Sequence, residues 1–236
     1  SHVALATPSV AAAGLYAGQV NSATATFDPT LEASLGSGGA IIAGRDVIVR
    51  STSIADTTAT ALGISVGALS SGASLATATM SPSISALTGA QAATAGRNVL
   101  IEARHNHDGA APTGHDTTAT ARASGGALLA SGVGAAATAN ANGSTTARAG
   151  GGSQFSAGGT VQVLADSANL ATATSTGVGV GGLIAAGSSS ATANANGSTS
   201  ADLRGGVGAS DSVTVIGEGK NVADAQANAS GAAGLA

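Results

Sequence analysis

The sequence predicts an all-β chain, a parallel β-helix (β-solenoid) built from tandem repeats of about 52 residues. Three observations predict it: one short segment returns along the chain at near-constant spacing, residues alternate with the two-residue period of a strand, and the composition suits a narrow interior. Of 236 residues, 36 are glycine, while aromatic residues make up 1% and charged residues 8%. A wide core needs large side chains to remove apolar surface from water. Alanine with scattered Val, Leu and Ile can fill only a space between two closely spaced backbone layers. Disorder is disfavoured, because disordered chains are rich in charge and poor in β-branched residues.

The repeat marks the units. Ala43-Gly44-Arg45-Asp46-Val47-Ile48-Val49 returns as Ala95-Gly96-Arg97-Asn98-Val99-Leu100-Ile101, then at 157–163 and 209–215, with spacings of 52, 62 and 52. The chain therefore divides into a partial unit 1–42, full units 43–94, 95–156 and 157–208, and a partial unit 209–236. Within a unit, a Gly-containing turn leads into a short β-branched strand such as Val47-Ile48-Val49. Thr/Ala alternation follows, as at Thr58 to Ala61, and places alanine on one face and threonine on the other. A Gly-studded apolar stretch comes next (Gly63-Ile64-Ser65-Val66-Gly67), then a second alternating run and Asn-Gly turn chemistry. Helix is the rival, since alanine is the best helix former, but each interior glycine costs about 1 kcal/mol there and no three-to-four apolar period exists.

The longer spacing contains an insertion. Asp56-Thr57-Thr58-Ala59-Thr60-Ala61 matches Asp116-Thr117-Thr118-Ala119-Thr120-Ala121, an offset of 60. The surplus therefore falls mostly between Glu102 and Asp116, and residues 104–115 are expected to leave the array as an exposed loop in which Pro112, Gly109 and Gly114 favour turning. The loop would then be the natural lateral contact of a filament. Two further expectations follow: each unit winds as two coils of about 26 residues, and Ala59, Ala61, Ala119, Ala121, Ala171 and Ala173 point inward beside outward threonines. Neither end shows a protective cap, so the chain is expected to be a single continuous solenoid segment from the interior of a longer one.

Gly turns followed by Val-Ile-Val strands, with Ala-Thr alternation between them, resemble the repeat regions of filamentous-haemagglutinin-like exoproteins and other large repetitive bacterial adhesins. The resemblance spans the chain. It implies a right-handed parallel β-helix, secretion across a Gram-negative outer membrane to the cell surface or the medium, and service as a structural or adhesive stalk. Partners would be further copies in a filament, or a host or cell surface.

Chemistry is sparse. Net charge is −4 with its eight cationic residues spread singly, so no basic stripe or aromatic platform exists for nucleic acid. Cysteine is absent, which excludes disulfides and thiolate ligands. The apolar stretch 125–141 is Ala and Gly broken by Ser131, Thr138 and Asn140, unlike a membrane-spanning helix. Carboxylates are scattered over turns and strand edges, with Asp46 and Asp211 read as equivalent turn positions. No nucleophile, base and orienting group can be assembled from them, so an enzyme is not expected, and no cofactor.

The insertion holds the one distinctive cluster, His105, His107, Asp108 and His115, whose imidazole and carboxylate donors would suit zinc, copper or nickel. A solvated loop without a ligand is the favoured reading. Asn142-Gly143-Ser144 and Asn196-Gly197-Ser198 fit the glycosylation acceptor pattern but read better as repeated Asn-Gly turns. The alternative to a stalk is a ligand-binding surface module, through metal at the insertion or ice along ranks of threonine.

Overall fold

Strand is what these residues form throughout, because alternating small and β-branched side chains suit a pleat buried on one face. The structure, a computed structural model, describes residues 2–234. The chain makes successive passes through one series of strands. The first comprises β1 (His2–Ala6), β2 (Ser9–Phe27), β3 (Thr30–Leu35) and β4 (Ala40–Ala43). The second comprises β5 (Val47–Ser53), β6 (Ala55–Met80), β7 (Ser83–Thr88) and β8 (Ala92–Ala95). The third is β9 (Val99–His105), β10 (Thr117–Ala141), β11 (Ser144–Ala149) and β12 (Gln154–Ala157). The fourth is β13 (Thr160–Gly181), β14 (Ile184–Ala195), β15 (Ser198–Leu203) and β16 (Gly206–Ala209), and β17 (Ser212–Ala233) begins a fifth.

Every pairing between these strands is parallel. One sheet of nine strands contains β5, β9, β13 and β17 together with the long β2, β6, β10 and β14. Two smaller sheets follow the orders β15-β11-β7-β3 and β16-β12-β8-β4. No helix among the described residues is long and apolar enough to cross a membrane.

Register corrects one expectation. Val47 pairs directly with Val99, Val99 with Val161, and Val161 with Val213. Equivalent residues of neighbouring units are therefore adjacent in a ladder, and a unit makes one pass, not two coils. The physical reason is strand length: β6 alone runs 26 residues, which a short three-strand coil cannot hold.

The ten-residue surplus of the third unit is divided. The offset is 52 at His105, which pairs with Ser53, and 60 at Thr117, which pairs with Thr57. It becomes 61 at Ala130, opposite Leu69, where the register shifts, and 62 at Gln154, opposite Ala92. Eight residues thus enter between His105 and Thr117, one at a bend in β10, and one in the turn before β12. The excursion begins at Asn106 and not at Arg104, since Arg104 and His105 complete β9.

Two interiors follow from composition. Where the three sheets surround one space, larger side chains fill it: Val47, Val49, Ile84, Val99, Ile101, Phe155, Val161 and Val163. Farther along the long strands the interior is almost entirely alanine, including Ala59, Ala61, Ala76, Ala119, Ala137, Ala171 and Ala173. The expected inward alanines are buried, with Thr58, Thr60, Thr118 and Thr120 half-buried on the outer face. Thr57 and Thr117 depart from the pattern, for they occupy the inward rank and stack on each other.

Beyond the alanine interior of the fourth pass the two layers close further, until only glycine fits. A Cβ on Gly177 would lie 2.1 Å from the Ser188 carbonyl oxygen, and one on Gly179 would lie 2.6 Å from that of Ala186. Whereas Gly63 of the second pass lies against the Gln19 side chain, this close approach accounts for the glycines of the fourth pass. It also leaves the tip of the fold apolar. Tyr16 pairs with Leu69, Leu69 with Ala130 and Ala130 with Ile184, while Leu15, Leu128, Leu129 and Leu183 project beside them.

Candidate functional site

The insertion is held down against the sheet by specific polar contacts. Asn106 adopts φ 48°, a left-handed conformation that asparagine tolerates better than most residues. Its amide clasps the backbone of Ala55: Nδ2 donates to the carbonyl oxygen at 3.0 Å, and Oδ1 accepts from the N–H at 2.8 Å. Asp108 closes a tight turn, its Oδ1 accepting from the N–H groups of Ala110 (2.7 Å) and Ala111 (2.8 Å). Those two donors hold its carboxyl below the usual carboxylate range. Gly109 has φ 99° and lies against the Arg104 guanidinium, which donates to the Asp108 carbonyl at 2.8 Å. At the far end His115 Nδ1 meets Asp56 Oδ2 at 2.7 Å, and the same carboxylate accepts from the Asp116 N–H at 3.0 Å.

The four residues nominated by the sequence therefore have separate engagements. His105 faces the interior, 1% exposed and paired in register with Ser53 and Ser167. Burial lowers its pKa to about 4, so the imidazole is neutral at pH 7. His107 is buried with Nδ1 accepting from the Gly109 N–H at 3.1 Å and lying 4.0 Å from Asp166 Oδ2. His115 serves Asp56, and Asp108 serves its own turn. Among the described residues no group of three or more His, Cys, Asp or Glu side chains is arranged to hold a metal ion. The insertion is also less exposed than a free loop: its first residues, Asn106 and His107, are buried, and exposure is concentrated at 108–111.

A charged network beneath the insertion escaped the sequence reading. Glu102, 1% exposed although it points outward, is paired by both Arg50 and Arg104. Arg104 also lies 3.5 Å from Asp166. Burial raises the Asp166 pKa, an effect that His107 and Arg104 oppose. The ladder explains why these groups meet: Arg50 pairs with Glu102, and Arg104 with Asp166. Writing the units under one another at their spacings of 52 and 62 would have placed these opposite charges in adjacent positions. A second ladder stabilises the turns. Asn98 donates through its N–H (3.2 Å) and Nδ2 (3.1 Å) to Asp46 Oδ1 and accepts at Oδ1 from the Thr160 N–H (3.0 Å). Asp46 thus corresponds to Asn98 and Thr160 and not to Asp211, whose N–H donates to the Gly159 carbonyl at 2.7 Å.

Threonines line up across passes. Thr58, Thr118 and Thr172 form one outward column, and Thr60, Thr120 and Thr174 the next. Outside the second layer, Thr24, Thr77, Thr138 and Thr192 form a column four passes deep. Its neighbour changes from Thr26 and Thr79 to Asn140 and Asn194, whose amides bond at 2.9 Å. The Asn-Gly pairs of the acceptor-like triplets sit where strands are joined, between β10 and β11 and between β14 and β15. The Gly143 N–H donates there to Asn169 Oδ1 at 2.9 Å.

No family model and no curated protein matches this chain. Among solved structures it is similar to the Tapirin C-terminal domain of Caldicellulosiruptor kristjanssonii, with 12% identity over 83% of this chain and 53% of the other, so it spans about half of that chain. The TM-score is 0.09.

Proposed function

We propose that the chain is a section of a β-solenoid stalk, one winding per unit of about 52 residues, that serves a structural or adhesive role at a bacterial cell surface. The observation that carries the reading is the continuous parallel pairing through successive passes, from β2 through β6 and β10 to β14, with one register shift in β10, and from β5 through β9 and β13 to β17. Such a ladder gives each unit the same neighbours, so length grows by repetition and mechanical continuity comes from backbone hydrogen bonds. The carboxylates in the best-enclosed polar cluster, Glu102 and Asp166, are committed to arginine, an arrangement suited to fastening an insertion.

Adhesion is supported by the exposed apolar tip. Leu128 is 78% exposed and Tyr16 76%, and neighbouring passes align such residues along the fold. Aligned apolar exposure of this kind marks contact surfaces. This tip, with the insertion packed down, is the better candidate for lateral contact. Immunogold labelling of intact cells that carry the gene tests the reading. Gold on the outer surface is expected, and label that enters only permeabilised cells would overturn it.

A further inference from the structure

The two outward threonine columns on the first layer have a geometry that neither a stalk nor an adhesive tip requires. Along a strand, Thr58 and Thr60 stand two residues apart, as do Thr118 and Thr120, and Thr172 and Thr174. That separation is about 6.7 Å in an extended strand, while in-register neighbours in adjacent strands are about 4.8 Å apart. The pairings Thr58–Thr118–Thr172 and Thr60–Thr120–Thr174 carry no register slip, so six threonines occupy a rectangular net two columns wide and three passes deep. All six are half-buried and flanked along their strands by inward residues, which are alanine except for Thr57 beside Thr58, Thr117 beside Thr118 and Ser175 beside Thr174. Branching at Cβ restricts χ1, so each hydroxyl and methyl holds a defined direction.

From this net we infer that the face formed by Thr58, Thr60, Thr118, Thr120, Thr172 and Thr174 binds crystalline water, adsorbing to ice. On this proposal, methyl groups and hydroxyls repeating at about 6.7 Å by about 4.8 Å order water in the gaps between columns, and the ordered layer then merges with the crystal. The six threonines are themselves uncharged; Asp56, Asp116 and Arg122 stand two residues along the strands from the net, and Asp224, paired with Thr172, bounds it on the next pass. Thr118 is steadied by a bond from its hydroxyl to Asp116 Oδ1 at 2.9 Å. The inference is independent of the stalk reading, since a surface net can bind ice whatever the chain is attached to.

The test uses the chain as it stands, at micromolar concentration. Growth of a single ice crystal in its presence is followed by nanolitre osmometry, with incorporation of fluorescently labelled protein into a growing ice hemisphere as second readout. Thr120→Lys places a long cationic side chain at the centre of the net and is expected to reduce the freezing hysteresis at least tenfold. Thr146→Lys, outward on the sheet that contains β11, is expected to leave it unchanged. Thermal unfolding of both variants checks that the fold persists, and Thr120→Val, which keeps the shape and loses the hydroxyl, substitutes if the lysine variant fails to fold. Facetted crystals with the parent chain and their loss in Thr120→Lys support the assignment. Unshaped crystals with the parent chain, full activity in Thr120→Lys, or loss on Thr138→Lys of the opposite layer instead would overturn it.

Discussion

Lowering the pH isolates the contribution of one buried side chain, His105. Its folded pKa is about 4 against an ordinary 6.5, with desolvation as the cause. The direction follows from proton binding. Between those values the unfolded chain takes up a proton that the folded chain refuses, so the stability associated with His105 is complete above pH 6.5 and is lost as pH falls toward 4. For a two-state group with these constants, going from pH 7 to pH 5 removes about 2 kcal/mol. The perturbation is His105→Leu, which keeps much of the volume. It strands no partner, because Nδ1 of His105 has none among the described residues. Urea unfolding followed by circular dichroism at pH 7 and pH 5 should show the parent chain losing about 2 kcal/mol more than the variant. Groups common to both proteins cancel in that difference. These include Asp166, whose raised pKa acts in the opposite direction. A proton NMR titration should place the His105 imidazole near 4. Parallel pH curves for the two proteins, or a His105 titrating at 6.5, would refute the burial argument.

Three further outcomes follow from the packing. Gly177→Val should destabilise the chain by about 3 kcal/mol, since its side chain must displace the Ser188 backbone, whereas Gly126→Ala, which meets nothing within 4 Å, should change stability by less than about 0.5 kcal/mol. Thermal unfolding compares the pair, and equal shifts would contradict the close approach of the layers. Asn106→Ala should cost about 2 kcal/mol by freeing both Ala55 bonds and forcing a left-handed alanine; limited proteolysis should then cut within 108–111 faster, and an unaltered cutting rate would show that the clasp does not hold the insertion. Pulling on the chain ends in an optical trap should release contour length in steps of about 180 Å, one unit at a time, while steps half as long would restore the two-coil winding.

Much of the fold was legible in the residues themselves. Alternation of Ala with Thr determines which face is buried, because a buried hydroxyl needs a partner and a methyl group does not. Repetition at 52 residues determines which residues are equivalent, and the mismatch between 52 and 62 reveals an insertion. Those properties are local or periodic, and a single chain displays them. The winding per unit was not legible. A repeat states how often a pattern returns and not how many turns occur between returns, and only the pairing of Val47 with Val99 distinguishes one turn from two.

Nor did the residues show what the insertion would do. Its histidines look like a donor set in one dimension. In three, His105 turns inward, His107 sits over Asp166 and His115 engages Asp56, because the strands on either side of the insertion carry those carboxylates into reach. The sequence by itself determined strand, facing and period, through steric and solvation preferences that act between near neighbours. Tertiary structure decided the single pass per unit, the closure of Gly177 on Ser188, and the alignment of threonines into a net, since each depends on separate strands brought together, across neighbouring passes or, for Gly177 and Ser188, between the two layers of one pass.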